Sequence, residues 1–379
     1  MKITHVGPES QFVSFVAAEF EMAAAEASEY FVLQNDRGDR GSFGMHGPHV
    51  HLVSSRLRAI PGLVSAVRSS DMVIAHSMSG FAALAFALSR RRTTRFWSGW
   101  GYDYYGTDES SDDGLLGPLT LVLAQQFRRA AAQRRGLSSL RVRLGTGLVR
   151  RLVHRAAART DLFSAPVPAD LAIFRRHYPE FRGGYSQLNY ASVSHSFSAG
   201  AGWTDVTNIL VGNSATFSNN HIEIFERLVP LDLVGRRVVV PLSYGEPTYR
   251  DAVMERGEDM LGDAFMPLVD FMPLDEYLTL IGTCGVVIMN HRRQQAVGNI
   301  CAAVYNGAHV FLDDGNPMLD LLRSLGAAVY STSELETRGL PRISQSAEVT
   351  ATNRHALESF WGADRVESNI RALIERAAR

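Results

Sequence analysis

The sequence predicts an α/β protein with two Rossmann-like domains. Short apolar runs alternate with amphipathic helical stretches over nearly the whole chain, which is typical of parallel sheets covered by helices. The pattern stops in a stretch rich in Ser, Gly, Ala and Asn at residues 185–204 and starts again at Val206. The 379 residues are enough for two ordinary domains. We therefore predict an N-terminal domain at residues 1–200 and a C-terminal domain at residues 205–379.

Composition narrows the possible classes of function. Apolar residues make up 46% and charged residues 20% of the chain, and no window approaches the roughly 20 apolar residues of a membrane span. The N-terminus lacks the basic and apolar regions of a signal peptide, so we expect a cytoplasmic protein. The formal charge of -1 argues against general binding to nucleic acid. Cys284 and Cys301 stand in apolar surroundings without metal-ligand spacing, which favours core packing over a disulfide or a zinc site.

The first domain opens with a strand at residues 2–6 and with Gly7, where we expect a turn that approaches a ligand. Helical spacing of apolar residues follows at 12–27. Two later apolar runs predict strands that end at His76 and in an aromatic, Gly-flanked loop containing Asp103. Because α/β enzymes keep their chemistry at the carboxyl ends of strands, both residues are candidates for catalysis. A lone His or Asp is as often a turn or capping residue, and that alternative stays open.

Residues 118–159 form a basic tract without a single acidic side chain. Three leucines at i, i+4 and i+8 lie beside a row of three arginines with the same spacing: Leu144, Leu148, Leu152, Arg151, Arg155 and Arg159. Such a basic amphipathic helix suits a protein that lies on an anionic membrane, where each arginine adds about 1 kcal/mol. The alternative is a solvated helix that packs on its own domain. The residues predicted to face the membrane or the acceptor are Arg128, Arg129, Arg151 and Arg155.

The second domain carries the clearest ligand loop. An apolar strand at residues 286–289 ends in Asn-His-Arg-Arg-Gln-Gln, and Gly298 then opens a helix of small residues. The N–H groups at the start of such a helix carry partial positive charge suited to a phosphate. Arg292 and Arg293 would lie beside an anionic group, and the amides of the next two glutamines could bind sugar hydroxyls. The alternative is a solvated loop between two core strands.

Three segments of this domain read, in order, ILVGNSATFSNNHIEIFERL, VVVPLSYG and EYLTLIGTCGVVIMNHRRQQAVGNICAAVYNGAHVFLDDGNP. They resemble the matching segments of glycosyltransferase family 56, the 4-acetamido-4,6-dideoxygalactose transferases of enterobacterial common antigen synthesis. In the first domain the pair His5-Val6, the strand that ends at His76, and the segments WGYD and HYPEFRG have counterparts in the same order. The basic tract is longer than the family's, and the Asn-His before Arg292 differs from it, which leaves the acceptor and the sugar open.

The resemblance implies a GT-B fold, with two Rossmann-like domains facing across a cleft and a C-terminal helix packing back toward the N-terminal domain. It also implies a TDP-sugar as donor substrate and no cofactor. The candidate donor contacts are Gly7, Gly212, Asn213, Ser214, Asn219, His221, Ser243, Tyr244, Arg293, Gln294, Gln295, Gly298 and Asn299. Helix N–H groups and an arginine can stabilise a leaving diphosphate, so we expect no metal ion. We interpret the pairs Asp112-Asp113 and Asp313-Asp314 as loop charges that end no clear strand.

The leading hypothesis is a glycosyltransferase bound peripherally to the cytoplasmic face of the inner membrane. It would move an amino-deoxysugar from a TDP-sugar to a polyprenyl-diphosphate-linked oligosaccharide. The acceptor hydroxyl must lose its proton as it attacks, and Asp103 is the first candidate for the general base, with His76 second. The same fold also suits a sugar-nucleotide epimerase or a transferase to a soluble glycan. Outside enzymes, the alternative is a nucleotide-sugar-binding partner without turnover.

Overall fold

The computed structural model of the protein describes residues 1–34, 45, 47–105, 114–134, 139–197 and 207–377. The apolar runs form strands and the amphipathic stretches form helices, in alternation, as the sequence predicts. The predicted domain boundary at 200–205 and the pair Asp112-Asp113 lie outside the described residues.

The strands in the described part of the chain are β1 (Ile3–Pro8), β2 (Ser28–Leu33), β3 (Val50–Val53), β4 (Met72–His76), β5 (Thr94–Ser98), β6 (Leu162–Ser164), β7 (Gly184–Tyr185), β8 (Asn208–Val211), β9 (Val238–Pro241), β10 (Phe265–Leu268), β11 (Cys284–Met289), β12 (His309–Leu312) and β13 (Tyr330–Ser331).

The α-helices of the same residues are α1 (Gln11–Ala23), α2 (Arg56–Ser69), α3 (Gly80–Leu88), α4 (Pro118–Arg134), α5 (Ser139–Arg159), α6 (Asp170–His177), α7 (His221–Leu228), α8 (Pro247–Leu261), α9 (Leu274–Ile281), α10 (Val297–Tyr305), α11 (Pro317–Ser324), α12 (Leu335–Arg338), α13 (Ala347–Trp361) and α14 (Ala363–Ala377).

The chain divides into two compact units, each with its own parallel sheet. The first unit contains Met1–Thr107, Gly136–Ala191 and Ala363–Arg379, and the second contains Asp108–Arg135 and Ser192–Gly362. The strand order is β3-β2-β1-β4-β5-β6-β7 in the first sheet and β10-β9-β8-β11-β12-β13 in the second. Both orders start from a central strand and wind outward in both directions, as in doubly wound folds. The predicted α/β class with two Rossmann-like domains is therefore confirmed.

The C-terminal helix belongs to the first unit. Leu373 of α14 packs with Phe20 of α1 and Ile74 of β4 in one buried core. The sequence predicts amphipathic helix at 354–378, and the structure divides this range between α13 and α14 at Gly362. A Cβ at Gly362 would lie 2.4 Å from the carbonyl oxygen of Glu358, so the chain needs a glycine where α13 ends and α14 begins. The predicted return of the C-terminal helix to the N-terminal domain is confirmed.

Gly7 lies inside β1, where it pairs with Val32 of β2, and not in the expected turn. A Cβ at Gly7 would lie 2.8 Å from the Cβ of His76 on the neighbouring strand. Close packing between β1 and the side chain at the end of β4 therefore explains the glycine without a ligand.

The basic tract at 118–159 is divided between the two units. Helix α4 packs on α7 of the second unit, because the carboxylate of Glu223 accepts hydrogen bonds from the N–H groups of Leu119 (3.0 Å) and Thr120 (2.9 Å). The hydroxyl of Thr120 donates to the same carboxylate at 2.6 Å. Helix α5 instead packs on α3 in the first unit. The sequence assigned the whole tract to the N-terminal domain, so α4 differs from that expectation.

Candidate functional site

Three neighbouring strands of the second sheet, β8, β9 and β11, end in polar loops. Parallel strands present their carboxyl ends at one edge, so these loops lie together. The loops after β8 and β9 are joined by a bridge between Ala215 and Gly245. A Cβ at Gly245 would lie 2.3 Å from the carbonyl oxygen of Ala215, so this close approach requires a glycine. Tyr244 beside it is 53% exposed, and Ser243 is half-buried.

The loop after β8 turns sharply at Gly212, whose φ is 69°. A Cβ there would lie 2.6 Å from Nε2 of His221 and 2.7 Å from Oδ1 of Asn219. The backbone N–H of Asn213 donates to that same Asn219 oxygen at 2.9 Å. Nδ2 of Asn219 donates to the Ser214 hydroxyl at 3.2 Å. The predicted Gly-Asn-Ser motif is thus a tight turn held by the side chain of Asn219, and His221 of α7 packs close to Gly212.

His291 follows β11 almost directly and is fully buried. Its Nε2 lies 2.9 Å from Oδ1 of Asn219 and 3.1 Å from Oδ1 of Asn213. The Asn219 oxygen already accepts the N–H of Asn213, so Nε2 of His291 must be the protonated nitrogen. Burial first, and then Arg293 and His221, hold the pKa of His291 well below its ordinary value of 6.5. His291 is therefore a neutral donor that fixes two asparagine amides.

Gln295 connects this turn to an arginine. Its Nε2 donates to Oδ1 of Asn213 at 3.0 Å, and its Oε1 accepts from Nε of Arg293 at 3.0 Å. The hydroxyl of Ser218 donates to the same Oε1 at 2.8 Å. Nδ2 of Asn213 donates to the Tyr244 hydroxyl at 2.9 Å. One continuous network therefore holds Arg293 against the turn after β8 and the exposed tyrosine after β9.

Helix α10 begins beside this network. Its N-cap, Ala296, has a φ of 55° and provides no side-chain cap, so the first N–H groups of the helix receive no side-chain acceptor from the capping position. Gly298 in the first turn is exposed, and a Cβ there would meet no atom within 4 Å. Open space over helix N–H groups next to an arginine is suited to a phosphate or diphosphate. Asn299 interacts with the Tyr277 hydroxyl, whereas Gln294 is buried.

Arg292 has a structural role and, unlike Arg293, does not belong to this network. Its Nη1 donates to the carbonyl oxygens of Leu116 (3.2 Å) and Gly114 (3.3 Å), and its Nε lies 3.4 Å from Oδ2 of Asp313. Asp313 follows the last residue of β12 directly, so the interpretation that this pair ends no strand is wrong. Within the described ranges, no three His, Cys, Asp or Glu side chains come together in a way that could hold a metal ion.

In the first unit, Asp103 follows β5 in a short 3-10 turn. Its carboxylate accepts four hydrogen bonds, from Oγ of Ser77 (2.8 Å), N of Trp100 (2.8 Å), Nε1 of Trp97 (3.2 Å) and N of Met78 (3.3 Å). Burial raises the pKa of Asp103 to about 6 even though these donors favour the charged form. Ser77, with a φ of 65°, is held in the left-handed region beside it. Asp103 thus ties the end of β4 to the loop after β5.

His76 lies at the end of β4 and is fully buried. Its Nε2 is 3.0 Å from Nδ1 of His5, and Nε2 of His5 is 3.2 Å from the hydroxyl of Ser28. Burial lowers the pKa of His76 to about 3, so the ring is neutral. The structure therefore places His76 and Asp103 at adjacent strand ends, with Asp103 partly exposed and His76 shielded within its unit. The pairing with His5 was not predicted.

Aromatic rings surround Asp103, as the sequence indicates. Trp100 and Tyr102 are arranged edge to face with ring centroids 5.9 Å apart, and Trp100 has a similar contact with Tyr190 at 5.6 Å. Tyr102 is 44% exposed, so its ring is available to a ligand of this unit. Rings of this kind suit the apolar faces of a sugar.

The four arginines predicted to face a membrane lie on two different helices. Arg128 and Arg129 are on α4 of the second unit, and Arg151 and Arg155 are on α5 of the first. On α5 both arginines are exposed, as are 70% of Leu148 and 46% of Val149. In the part of the chain that the structure describes, no helix is long and apolar enough to span a bilayer.

Comparison with known proteins places these features in context. A family model described as "4-alpha-L-fucosyltransferase glycosyl transferase group 56" matches residues 136–356, more than half of the chain. Sucrose-phosphate synthase from Thermosynechococcus elongatus is similar in structure over 100% of both chains, with a TM-score of 0.61 and 10% identity. HepE of Anabaena in complex with UDP matches over 100% of this chain and 95% of its own, with a TM-score of 0.55 and 12% identity.

The lipopolysaccharide outer core galactosyltransferase WaaB gives a TM-score of 0.57 at 10% identity and covers 99% of both chains. At such low identity the likeness concerns the fold alone. That fold is GT-B, and the prediction of this class from the sequence is confirmed.

Proposed function

Because the chain belongs to glycosyltransferase group 56, we propose that it moves an amino-deoxysugar, such as 4-acetamido-4,6-dideoxygalactose, from a TDP-sugar to a polyprenyl-diphosphate-linked oligosaccharide. Family and fold make it a glycosyltransferase. The observation that carries the choice of donor site is the network from Gly212 through Asn213 and Gln295 to Arg293 at the start of α10. A nucleotide donor is also supported by the relative HepE, which was solved with UDP.

The leaving group of such a transfer is a nucleoside diphosphate, which gains negative charge as the bond to the sugar breaks. The N–H groups at the start of α10 and the guanidinium of Arg293 are preorganised donors for that charge. Gln295 holds Nε of Arg293, so less side-chain freedom is lost when the diphosphate binds. Tyr244, exposed after β9, would lie against the nucleoside. With these donors, the charge of the leaving diphosphate is stabilised without a divalent ion.

The attacking group is a hydroxyl of the acceptor sugar, and its proton must leave as the new glycosidic bond forms. Asp103 is the proposed base. Its pKa of about 6 leaves it ionised at neutral pH yet more basic than an ordinary carboxylate. One of its four hydrogen bonds has to yield to the acceptor hydroxyl, and the bond from the N–H of Met78, at 3.3 Å, is the longest.

The acceptor carries a polyprenyl chain, so the enzyme has to work at a membrane. Helix α5 supports a location on the cytoplasmic face of the inner membrane, because exposed Leu148 and Val149 lie close to exposed Arg151 and Arg155. Apolar side chains can enter the headgroup region while arginines contact anionic lipids.

Two measurements test the proposal. TDP should raise the melting temperature of the protein more than UDP does, and a TDP-linked amino-deoxysugar should be transferred to a lipid-linked acceptor in excess chelator. Stabilisation by UDP alone would exclude a TDP-sugar as the donor. Transfer only to free glycans would exclude a lipid-linked acceptor. Activity that disappears with chelator and returns with magnesium would require a metal at the donor diphosphate.

A further inference from the structure

A cavity of about 720 Å³ opens in the first unit. It lies at the amino ends of strands of the sheet, whereas Asp103 lies at the carboxyl ends. The beginnings of β6 and β7 border it, whereas Asp103 follows the end of β5. Its lining consists of four arginines, one aspartate and small or polar residues: Arg91, Arg95, Arg159, Arg182, Asp161, Ala158, Thr160, Gly183 and Gly184. The cavity is therefore separate from the sugar-transfer chemistry proposed above.

Three of the four arginines donate to neutral oxygens. Nη1 of Arg159 donates to the carbonyl oxygen of Ala87 at 3.0 Å, and Nε of Arg95 donates to the hydroxyl of Ser89 at 3.0 Å. Arg182 donates to the carbonyl oxygen of Phe181 at 3.1 Å. Carbonyl and hydroxyl oxygens fix a guanidinium without cancelling its charge. Three of the four positive groups that line the cavity are therefore held by hydrogen bonds.

The one carboxylate in the lining does not balance this charge. Oδ2 of Asp161 accepts from Nη1 of Arg95 at 3.4 Å, and its side chain is 50% exposed. Four arginines against one aspartate leave a formal charge of three positive units. Burial, and then repulsion from the charge of Arg159, lower the pKa of Arg95. A bound anion would relieve this repulsion.

Capping of α3 explains only part of the cluster. Arg95 and Arg159 reach the oxygens at the end of that helix, which favours cations there. Arg91 and Arg182 are exposed at the cavity and make none of these capping contacts among the described hydrogen bonds. Capping of α3 therefore does not explain why Arg91 and Arg182 line the same cavity.

We propose that this cavity binds a phosphate or diphosphate group of a ligand other than the sugar donor. Guanidinium groups match phosphate oxygens in geometry and can donate in pairs. Arg151, Arg155 and Arg159 lie at i, i+4 and i+8, so one row of α5 runs from the exposed basic surface into the cavity. The headgroup of an anionic phospholipid and a soluble phosphate share this chemistry.

The test uses the full chain and two probes. The double variant Arg91→Gln/Arg182→Gln removes two exposed charges without touching the cap of α3. The control Arg175→Gln/Arg176→Gln replaces two exposed arginines of α6 and removes the same charge elsewhere in the unit. Binding is measured by cosedimentation with phosphatidylglycerol vesicles, against phosphatidylcholine, and by titration with inorganic pyrophosphate. We expect the cavity variant to weaken binding of at least one probe about tenfold or more, and the control variant to change it less than about threefold.

The two probes separate the sources of the phosphate. A loss confined to vesicles assigns the cavity to a lipid headgroup, and a loss with both probes assigns it to a phosphate that also binds from solution. Equal losses in the cavity and control variants, or no loss in either, would overturn the proposal. Both variants keep Arg293 and α10, so pyrophosphate bound at the proposed donor site contributes equally to both, and the comparison does not depend on whether the donor is a TDP-sugar.

Discussion

Replacement of Gly298 by alanine should change the stability of the fold and the binding of the donor in opposite directions. Gly298 is exposed in the first turn of α10, and a Cβ there meets no atom within 4 Å. Alanine restricts the unfolded chain and favours helix, so the variant should gain about 0.5–1 kcal/mol of unfolding free energy. For a protein of this kind that corresponds to an increase of roughly 1–4 °C in melting temperature.

The same methyl group would occupy the space that a diphosphate needs over the start of α10. A phosphate oxygen that accepts a hydrogen bond lies about 2.9 Å from the backbone nitrogen. The same oxygen has to stay about 3.5 Å from a methyl carbon. The phosphate must therefore retreat and weaken at least one charge-assisted hydrogen bond, each of which contributes about 1.5–3 kcal/mol. TDP affinity should fall about ten- to a hundredfold.

Gly147→Ala is the matched control. Gly147 lies within α5, and a Cβ there also meets no atom within 4 Å. It should show the same rise in melting temperature and leave the Kd for TDP unchanged in calorimetric titration. If Gly298→Ala is stabilised and still binds TDP as the unmodified protein does, the diphosphate does not bind at the start of α10.

Other predictions concern single side chains. Arg293→Ala should weaken TDP binding by about one to two orders of magnitude in the same titration, with an unchanged melting temperature; unaltered affinity removes Arg293 from the donor site. Asp103→Asn should lower turnover about 10²- to 10⁴-fold with donor affinity nearly unchanged, and His76→Ala should lower turnover much less. If His76→Ala has the larger effect, His76 and not Asp103 is the base. His221 and His291 are buried and their pKa values are lowered, to about 3 for His221. Below pH 6.5, the ordinary pKa of histidine, the unfolded chain therefore binds more protons than the folded protein does. Stability of the second unit should thus fall from pH 7.5 to 5.5 by about 1.4 kcal/mol for His221, with a further fall from His291, and equal hydrogen-exchange protection of β8 at both pH values would contradict this.

The elements that sequence reasoning predicted well are those fixed by local pattern. The run at 286–289 is apolar throughout, and such a strand has to be buried on both faces of a parallel sheet. Gly212 follows β8 directly and has a positive φ, which glycine adopts without strain. Cys284 and Cys301 are buried free thiols, as their apolar surroundings indicate.

The features that were missed depend on contacts between residues far apart in sequence. Helix α4 joins the second unit through Glu223, about a hundred residues later, and nothing within the basic tract itself indicates that partner. The same holds for His291, whose role rests on Asn213 and Asn219 of another loop. Its position two residues after a buried strand is the one signal that the sequence carries.

Within each unit, polar residues at the strand ends mostly hydrogen-bond to one another or to nearby backbone, and one of them, Asp103, is also the proposed base. Asp103 accepts four donors and His291 donates to two amides, so both are fixed before any ligand binds. A neutral histidine is suited to this because it supplies a donor in the core without a charge that would have to be desolvated. The groups left for a ligand are the outer ones: the N–H groups of α10 and the exposed rings of Tyr102 and Tyr244. Changes to His291 should therefore lower stability and binding together, changes to Tyr102 or Tyr244 should lower binding alone, and Asp103→Asn should lower turnover with donor affinity nearly unchanged.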